Sequence, residues 1–150
     1  IIHTQLNNQI EKNMTHFAFA AAYLDEDSNN IIKASGFDKT DFHLTTCFDS
    51  SAAIAEMPKY SFPKRTATIK AVVEWPVGDD TYLVAELSDC EWSKDINALM
   101  KAYGAVEDLP HNPHVTLIKG DAKDTAHKHQ ELVGTVLTFN RHVIKVKKRG

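Results

Sequence analysis

Apolar and polar residues alternate in several stretches of this chain, a pattern typical of strands that bury one face. The clearest case is "RTATIKAVVEW" at 65–75, which stops at Pro76 and is followed, after the turn residues "VGDD", by "TYLVAEL" at 81–87. Two alternating runs around a short turn predict a β-hairpin. Four further strand regions are predicted: "THFAFAAAYL" (15–24, which also fits a helix), "DFHLTTCF" (41–48), "HVTLIKG" (114–120) and "GTVLTFNRHVIKVKK" (134–148, a strand pair or one long bent strand).

Apolar residues recur at helical spacing in two other stretches. Leu6, Ile10 and Met14 lie four residues apart within 3–14 and predict a short amphipathic helix. The longer stretch carries five such residues: Trp92, Ile96, Leu99, Met100 and Tyr103. A glycine commonly follows the last helical residue, so we expect this second helix to end at Gly104.

Capping and turn residues define three shorter elements. "DSSAAIAEM" (49–57) offers Asp49 or Ser50 as the N-cap of a short helix that ends before Pro58. "DAKDTAHKHQELV" (121–133) predicts another helix, whereas "DEDSNN" (25–30) predicts a polar loop. Strand and helix segments thus interleave without a long linker. This order predicts one α+β domain over residues 1–150, built on a mixed, largely antiparallel sheet.

Charge and composition narrow the function classes. The formal net charge of −3 argues against a protein that coats duplex nucleic acid, while a small anionic ligand in a local pocket is compatible with it. Cations gather in "KVKKRG" (145–150), for which we expect a frayed basic end rather than a phosphate-attracting segment.

The length of the longest apolar run and the spacing of the cysteines give weaker indications of the protein's cellular compartment. The longest apolar run, "FAFAAAYL" (17–24), falls short of the ~20 residues of a membrane span, so no membrane partner is expected. Cys47 and Cys90 match no metal or redox spacing, which favours a reduced, cytosolic compartment.

Two of the predicted strands carry the same polar pattern. "FHLTTCF" contains His43 and Thr45, and "HVTLI" contains His114 and Thr116. Residues i, i+2 and i+4 of a strand share a face, so alternation places Cys47 with the first pair and Ile118 with the second. A single His-x-Thr is easily a structural accident. Two copies in separate halves of one small domain indicate a site.

These paired His-x-Thr motifs, the second preceded by proline in "PHVTL", resemble those of the 2H phosphoesterase superfamily. That family includes RNA-end cyclic phosphodiesterases, 2′-5′ RNA ligase-like proteins and enzymes that degrade oligonucleotide second messengers. The resemblance implies a bilobal α+β fold with pseudo-two-fold symmetry, in which the two motif strands face each other across a central groove. The short length, the N-terminal helix, "FHLTT" and "NPHVTL" look most like the phage anti-CBASS enzymes, which destroy cyclic di- and trinucleotide alarm signals.

The residue types suit phosphodiester cleavage. Histidine, with an unperturbed pKa of about 6.5, can take a proton from the attacking oxygen or give one to the leaving oxygen. His43 and His114 are therefore expected to divide the base and acid roles, without an assignment of which is which. Thr45 and Thr116 are expected to donate hydrogen bonds to the phosphate oxygens. Such a scheme needs no metal and no cofactor, and the sequence contains no strong zinc pattern.

Two further residues are candidates for substrate binding. Trp75 ends an alternating strand and is a candidate nucleobase platform, the alternative being a packed core or rim aromatic. Lys119 follows the second motif and is a candidate phosphate ligand, the alternative being a solvated lysine. His111 is expected to be a loop histidine rather than a partner of the site, and His127 and His129 are expected at the surface.

Together, the residues and the resemblance predict a metal-independent phosphodiesterase for small cyclic oligonucleotides, acting in the bacterial host cytosol as a phage counter-defence. Two alternatives stay open: an enzyme that acts on RNA ends, as a 2′,3′-cyclic phosphodiesterase or ligase-like protein, and a non-catalytic sponge for cyclic nucleotides. Intact histidine and threonine in both motifs argue against the sponge. The preferred bases, the linkage and the oligomeric state are left open.

Overall fold

Six strands close into a barrel in the computed structural model, which describes residues 15–39, 41–59 and 61–149. The strands are β1 (His16–Leu24), β2 (His43–Asp49), β3 (Arg65–Val77), β4 (Asp80–Ser88), β5 (His114–Ile118) and β6 (Val136–Lys148). Their order around the barrel is β1-β2-β5-β4-β3-β6, and each neighbouring pair is antiparallel. The helix predicted at 3–14 lies outside the described residues.

The barrel consists of two three-stranded halves. We call β6, β1 and β2 the β2 half, and β3, β4 and β5 the β5 half, after the strand that carries each His-x-Thr motif. The halves join through β3 and β6, where Arg65 pairs with Phe139 and Thr68 with Val136, and through one pair between β2 and β5, Leu44 with Val115. The motif strands are therefore paired through one residue of each.

Alternation of apolar and polar residues predicts the strands correctly because the paired strands bury one face in the core. Leu44 and Val115 are fully buried, as are their neighbours in the middle strands, Ala22 and Ala85. The predicted hairpin is present, and Val77 pairs with Asp80 around a two-residue turn. The largest fully buried apolar side chains are Phe42, Phe139, Ile32, Leu44, Ile54, Ile69, Leu83, Met100 and Leu137.

Two α-helices cover the barrel: α1 (Glu26–Ala34) and α2 (Glu91–Tyr103). The second was predicted and ends at Gly104. The polar loop predicted at 25–30 is wrong, because this stretch begins α1. The Asp25 carboxylate accepts a hydrogen bond from the Ser28 backbone N–H at 2.9 Å and caps the helix, which buries Ile32.

The other two predicted helices are 3₁₀ segments, Ala53–Glu56 and Ala126–Leu132. Asp49, one of the two predicted N-caps, accepts from the Ile54 backbone N–H at 2.9 Å. The second segment is interrupted at His129, whose φ of −129° is not helical. The helix predicted at 121–133 is therefore present over part of that range, as a 3₁₀ helix.

The basic end of the chain is a strand. Lys145–Lys148 belong to β6, which runs unbroken to a pairing of Lys148 with His16. The strand predicted over 134–148 is present as β6, and the expectation of a frayed basic end is wrong because pairing with β1 orders Lys145–Lys148. Both cysteines are free and buried. No helix in the described part of the chain has the length and apolar character to cross a membrane.

Candidate active site

The two His-x-Thr motifs meet where β2 meets β5. Leu44 and Val115 pair there and point into the core, so the residues beside them point to the opposite face. Extending the antiparallel register by one residue sets Thr45 beside His114 on one side of this pair. On the other side it sets His43 beside Thr116. The histidines are then diagonal neighbours, for which a separation of about 7–8 Å is typical.

We call the face that carries these four side chains the site face. All four are half-buried, and therefore accessible to a ligand while held by the sheet. An antiparallel pair has a local two-fold axis between its partners, which places the two motifs in equivalent surroundings. The arrangement encloses a small polar area with one histidine and one threonine on each side.

A β-bulge follows the threonine of each motif. In β2, Ala21 pairs with Thr45 but Ala20 pairs with Cys47, so Thr46 is the extra residue. In β5, Val84 pairs with Thr116 but Leu83 pairs with Ile118, so Leu117 is the extra residue. Bulges are frequent beside functional sites, where they redirect side chains.

The bulges overturn the prediction that Cys47 and Ile118 share the face of the motif residues. One extra residue reverses the alternation, so Cys47 is fully buried in the core and Ile118 packs against the larger apolar cluster. Phe48 takes the place on the site face that alternation gave to Cys47, and pairs with Phe19. Sequence reasoning missed Phe48 because a bulge leaves no local signal in β2.

Both histidines are held by the same backbone contact. The Nδ1–H of His43 donates to the Asp41 carbonyl at 3.2 Å, and the Nδ1–H of His114 donates to the Asn112 carbonyl at 2.8 Å. A carbonyl oxygen only accepts, so Nδ1 carries the proton in each ring. Nε2 is consequently the nitrogen of both side chains that can exchange a proton with a ligand.

The surroundings of His43 favour its neutral form. Its ring lies 5.1 Å from the Tyr23 ring and 6.4 Å from the Phe19 ring, measured between centroids. Burial among these groups lowers the pKa of His43, and the nearby cations Lys39 and Lys145 lower it further against the raising effect of the Asp41 backbone and carboxylate.

His114 has a different neighbourhood. The Trp75 ring lies 4.4 Å from its ring, with the two planes inclined by 56°. Glu86 is its partner in β4. The predicted substrate residue Trp75 therefore contacts a motif histidine directly, and is a rim aromatic rather than a core one.

A cavity of about 560 Å³ opens beside His114. Thr45, Trp75 and Phe48 line it, and the loop before β5 supplies the rest of the wall with Glu107, Asp108, Leu109, Pro110, His111 and Asn112. Phe48 and Leu109 are 45% and 76% exposed, so the cavity presents apolar surface to solvent. Its size is in the range typical of small-molecule sites, and a nucleotide would find both ring surfaces and polar groups there.

His111 lies closer to the site than its loop position predicts. It lines the same cavity as His114, and its Nε2 lies 3.1 Å from the Ser93 hydroxyl. Burial is the main cause that lowers the pKa of His111. Since its ring is engaged with Ser93, it contributes shape to the cavity wall.

The remaining candidates lie further away. Lys119 is exposed, one residue beyond β5, and is not among the residues that line the cavity of His114. His127 is exposed, as predicted, whereas His129 is half-buried and packs 4.5 Å from the Phe37 ring. Within residues 15–39, 41–59 and 61–149, no three histidine, cysteine or acidic side chains are grouped to hold a metal ion.

Solved structures share this fold. A structure of Usb1 from Kluyveromyces marxianus has a TM-score of 0.52 at 13% identity, over 91% of this chain and 97% of that one. A crystal structure described as a phosphoesterase has a TM-score of 0.51 at 14% identity, over 89% and 94%. No protein-family model and no curated protein matches the chain. The predicted fold class, a bilobal α+β domain with two related halves and largely antiparallel strands, is confirmed by the fold that these structures share with the chain.

Proposed function

We propose that this protein is a phosphodiesterase that cleaves a phosphodiester bond held between His43 and His114. One observation carries the proposal: adjacent antiparallel strands present two His-x-Thr motifs in which each Nδ1–H is fixed by the carbonyl two residues upstream. Because the Nδ1–H of each histidine is held by a backbone carbonyl, the two Nε2 atoms are left to act from opposite sides of one phosphate. The fold shared with a structure described as a phosphoesterase is consistent with this chemistry.

The two histidines take different roles. The lowered pKa of His43 suits a base that starts neutral, so His43 removes the proton from the attacking hydroxyl. The attacking oxygen bonds to phosphorus as the bond to the leaving oxygen breaks, and protonated His114 gives its proton to that oxygen. One proton is taken and one is given, which leaves the pair ready to exchange roles in the reverse step.

The threonines stabilise the charge on the phosphate. Thr45 lies beside His114 and Thr116 beside His43, so one hydroxyl approaches the phosphate from each strand. Hydroxyl donors aimed at non-bridging oxygens lower the energy of the transition state, where negative charge accumulates. Because the donors and both proton-transfer groups come from the chain itself, the reaction requires no metal ion.

For the substrate we propose a cyclic di- or trinucleotide. This choice rests on the resemblance of "FHLTT" and "NPHVTL" to the phage anti-CBASS enzymes, and on a cavity in which Trp75 and Phe48 offer ring surfaces for bases. The role that follows is a counter-defence that removes the cyclic signals of bacterial immunity. In cells that make such a signal, wild-type protein should lower its level and produce linear products, and the His43→Ala/His114→Ala variant should not.

One incubation distinguishes the proposed phosphodiesterase from an RNA-end enzyme and from a non-catalytic sponge. Purified protein is mixed with cyclic dinucleotides and with linear RNA that ends in a 2′,3′-cyclic phosphate, in excess EDTA, and the products are resolved by mass. Linear products from the cyclic substrate support the proposal, and products from RNA ends alone support the RNA-end alternative. Bound but intact cyclic dinucleotide would identify a sponge, and activity that EDTA abolishes and one metal restores would refute the mechanism. A 2′-deoxy substrate that binds but resists cleavage would identify the ribose 2′-hydroxyl as the attacking group.

A further inference from the structure

A row of cations extends the site face beyond His43. β1 pairs with β6 so that Tyr23 lies opposite Arg141, Phe19 opposite Lys145 and Phe17 opposite Lys147. Alternate residues of a strand share a face, so Arg141, Lys145 and Lys147 lie on the face of His43. Their neighbours His142, Ile144 and Lys148 lie on the opposite face.

Side-chain contacts connect this row to the catalytic histidine. The Arg141 guanidinium lies 4.6 Å and the Lys145 ammonium 5.1 Å from the centroid of the Tyr23 ring, and that ring is 5.1 Å from the ring of His43. Two cations thus share one aromatic ring immediately beside the site. Two positive charges beside one ring repel each other, and a bound anion relieves that repulsion.

Ion pairs among the described residues do not neutralise the row, although Asp25 and Glu26 line a cavity together with Arg141. In the part of the chain that the structure describes, the carboxylates make no ion pair with Arg141, Lys145 or Lys147. Arg141 and Lys147 are exposed and Lys145 is half-buried. In a protein whose net charge is −3, three cations on one face of one strand form a local positive surface.

The row comes from the strand two positions away from β2, roughly 10 Å between backbones. In the proposed mechanism the scissile phosphate is held by two histidines and two threonines, so the cations of β6 are free to bind a neighbouring one. A phosphate next to it in the same substrate would come within reach of Lys145. Phe17 and Phe48 add a pair of rings 5.2 Å apart at the same end of the face, suited to an adjoining base.

We propose that Arg141, Lys145 and Lys147 form a subsite for a second phosphate, so that the enzyme selects substrates with a phosphate besides the one it cleaves. The proposal rests on the proposed function of the same site. It assigns the substrate class as oligonucleotides, closed into a ring or linear, in preference to compounds whose only phosphate is the scissile one.

The test compares two substrates and two lysine variants at a pH on the activity plateau. A 3′,5′-cyclic dinucleotide carries a second phosphate, and a dinucleoside monophosphate carries only the scissile one. Lys145→Met/Lys147→Met removes two charges from the site face, and Lys148→Met removes one from the opposite face of the same strand. Losing charge-assisted hydrogen bonds to a phosphate should lower kcat/KM for the cyclic dinucleotide about tenfold or more in the double variant alone. Both variants should match wild type on the monophosphate, which also shows that they are folded.

Other results would contradict either the phosphate subsite or the proposed function. Equal losses on both substrates, or the same loss in Lys148→Met, would overturn the subsite. A wild-type protein that cleaves neither substrate would instead reject the proposed function. If wild type cleaves only the cyclic dinucleotide, the salt dependence of kcat/KM decides. The decline of kcat/KM with rising salt should be weaker in the double variant than in wild type, because fewer positive charges attract the substrate, and an unchanged salt dependence would overturn the subsite.

Discussion

The β2 half and the β5 half repeat one backbone design. Leu44 in β2 corresponds to Val115 in β5, and Ala22 in β1 corresponds to Ala85 in β4, because each pair occupies the same place in its half. The bulge follows the motif threonine in both halves, and the outer strands β3 and β6 are each 13 residues long. The repeated design explains why both histidines present the same nitrogen to the same space.

The side chains next to the motifs differ between the halves. His43 pairs with Tyr23, where His114 pairs with Glu86. On the outer strands, Arg141 and Lys145 of β6 correspond to Ala71 and Trp75 of β3. Cations and aromatic rings thus surround one histidine, and a carboxylate and a tryptophan the other. The backbone sets where the two imidazoles lie, while the side chains around them differ, and the proposed assignment of base and acid rests on this difference.

Removing either imidazole should have the largest effect. A proton-transfer group typically contributes about 10²–10⁴-fold, so His43→Ala and His114→Ala should each lower kcat by at least that much. The double variant should lose less than the product of the single losses, because both groups act on one transition state. Thr45→Val and Thr116→Val should lose less than either histidine variant. A folded single histidine variant with near-wild-type kcat would contradict the equivalence of the halves.

Trp75 of the β5 half occupies the position that Lys145 occupies in the β2 half, and Trp75→Ala tests whether its ring stacks on a base. A base stacked on the ring is worth ~1–3 kcal/mol, so the variant should lower kcat/KM about 5–150-fold, and Trp75→Phe should recover much of the loss. Trp92→Phe, at an indole that donates to the Thr66 carbonyl outside the site, is the control. Thermal melting separates the explanations, since an alanine variant that melts early with unchanged kinetics when folded would assign Trp75 to packing.

The acid side of the pH profile tests the β2 half. His43 acts as base only when neutral, and its pKa is lowered, so kcat/KM should fall with decreasing pH at a midpoint below 6.5. Lys145→Met removes a charge that lowers this pKa and should move the midpoint to higher pH, whereas Lys148→Met should leave it in place. A midpoint that does not move in Lys145→Met would show that β6 does not influence His43.

The smallest effect concerns the buried side of the same strand. His142 corresponds to Val72 of β3, and burial lowers its pKa to about 4 from 6.5. The unfolded chain therefore binds this proton more readily, so its contribution to stability is complete above pH 6.5 and is lost as pH falls towards 4. His142→Val should flatten the pH dependence of the free energy of unfolding in this window, and His127→Val, at an exposed position, should not. Because His43 and His111 also have lowered pKa values, some dependence should persist in both variants.

Local residue patterns predicted most of the strands and singled out the four motif residues. Alternation predicted both motif strands and the hairpin because burial of one face follows directly from residue type. Nothing local predicted the pairing of Leu44 with Val115, which connects residues far apart in the chain and brings the motifs together. The resemblance to a known family supplied the expectation that the motif strands face each other, and the solved structures confirm the fold alone.

The predictions that were wrong failed for physical reasons that cannot be recognised in a single sequence. A bulge inserts one extra residue into a strand and shifts the register by one. Here the extra residue is Thr46, so Cys47 faces the core and Phe48 faces the site. α1 was missed because an aspartate cap and one buried isoleucine stabilise a helix whose other residues are mostly polar. The charge of 145–150 suggested a frayed end, although alternation over 134–148 predicts a strand, and pairing with β1 orders these cations.

The most direct test of the account is a substrate whose leaving oxygen is replaced by sulfur. A thiolate departs without a proton, so such a substrate bypasses the acid but still needs the base. With His43 as base and His114 as acid, His114→Ala should cleave the sulfur substrate at close to the wild-type rate while remaining deficient on the oxygen substrate. His43→Ala should be deficient on both. Rescue of His43→Ala instead would reverse the roles assigned to the two halves, and rescue of neither variant would contradict the base-and-acid pair itself.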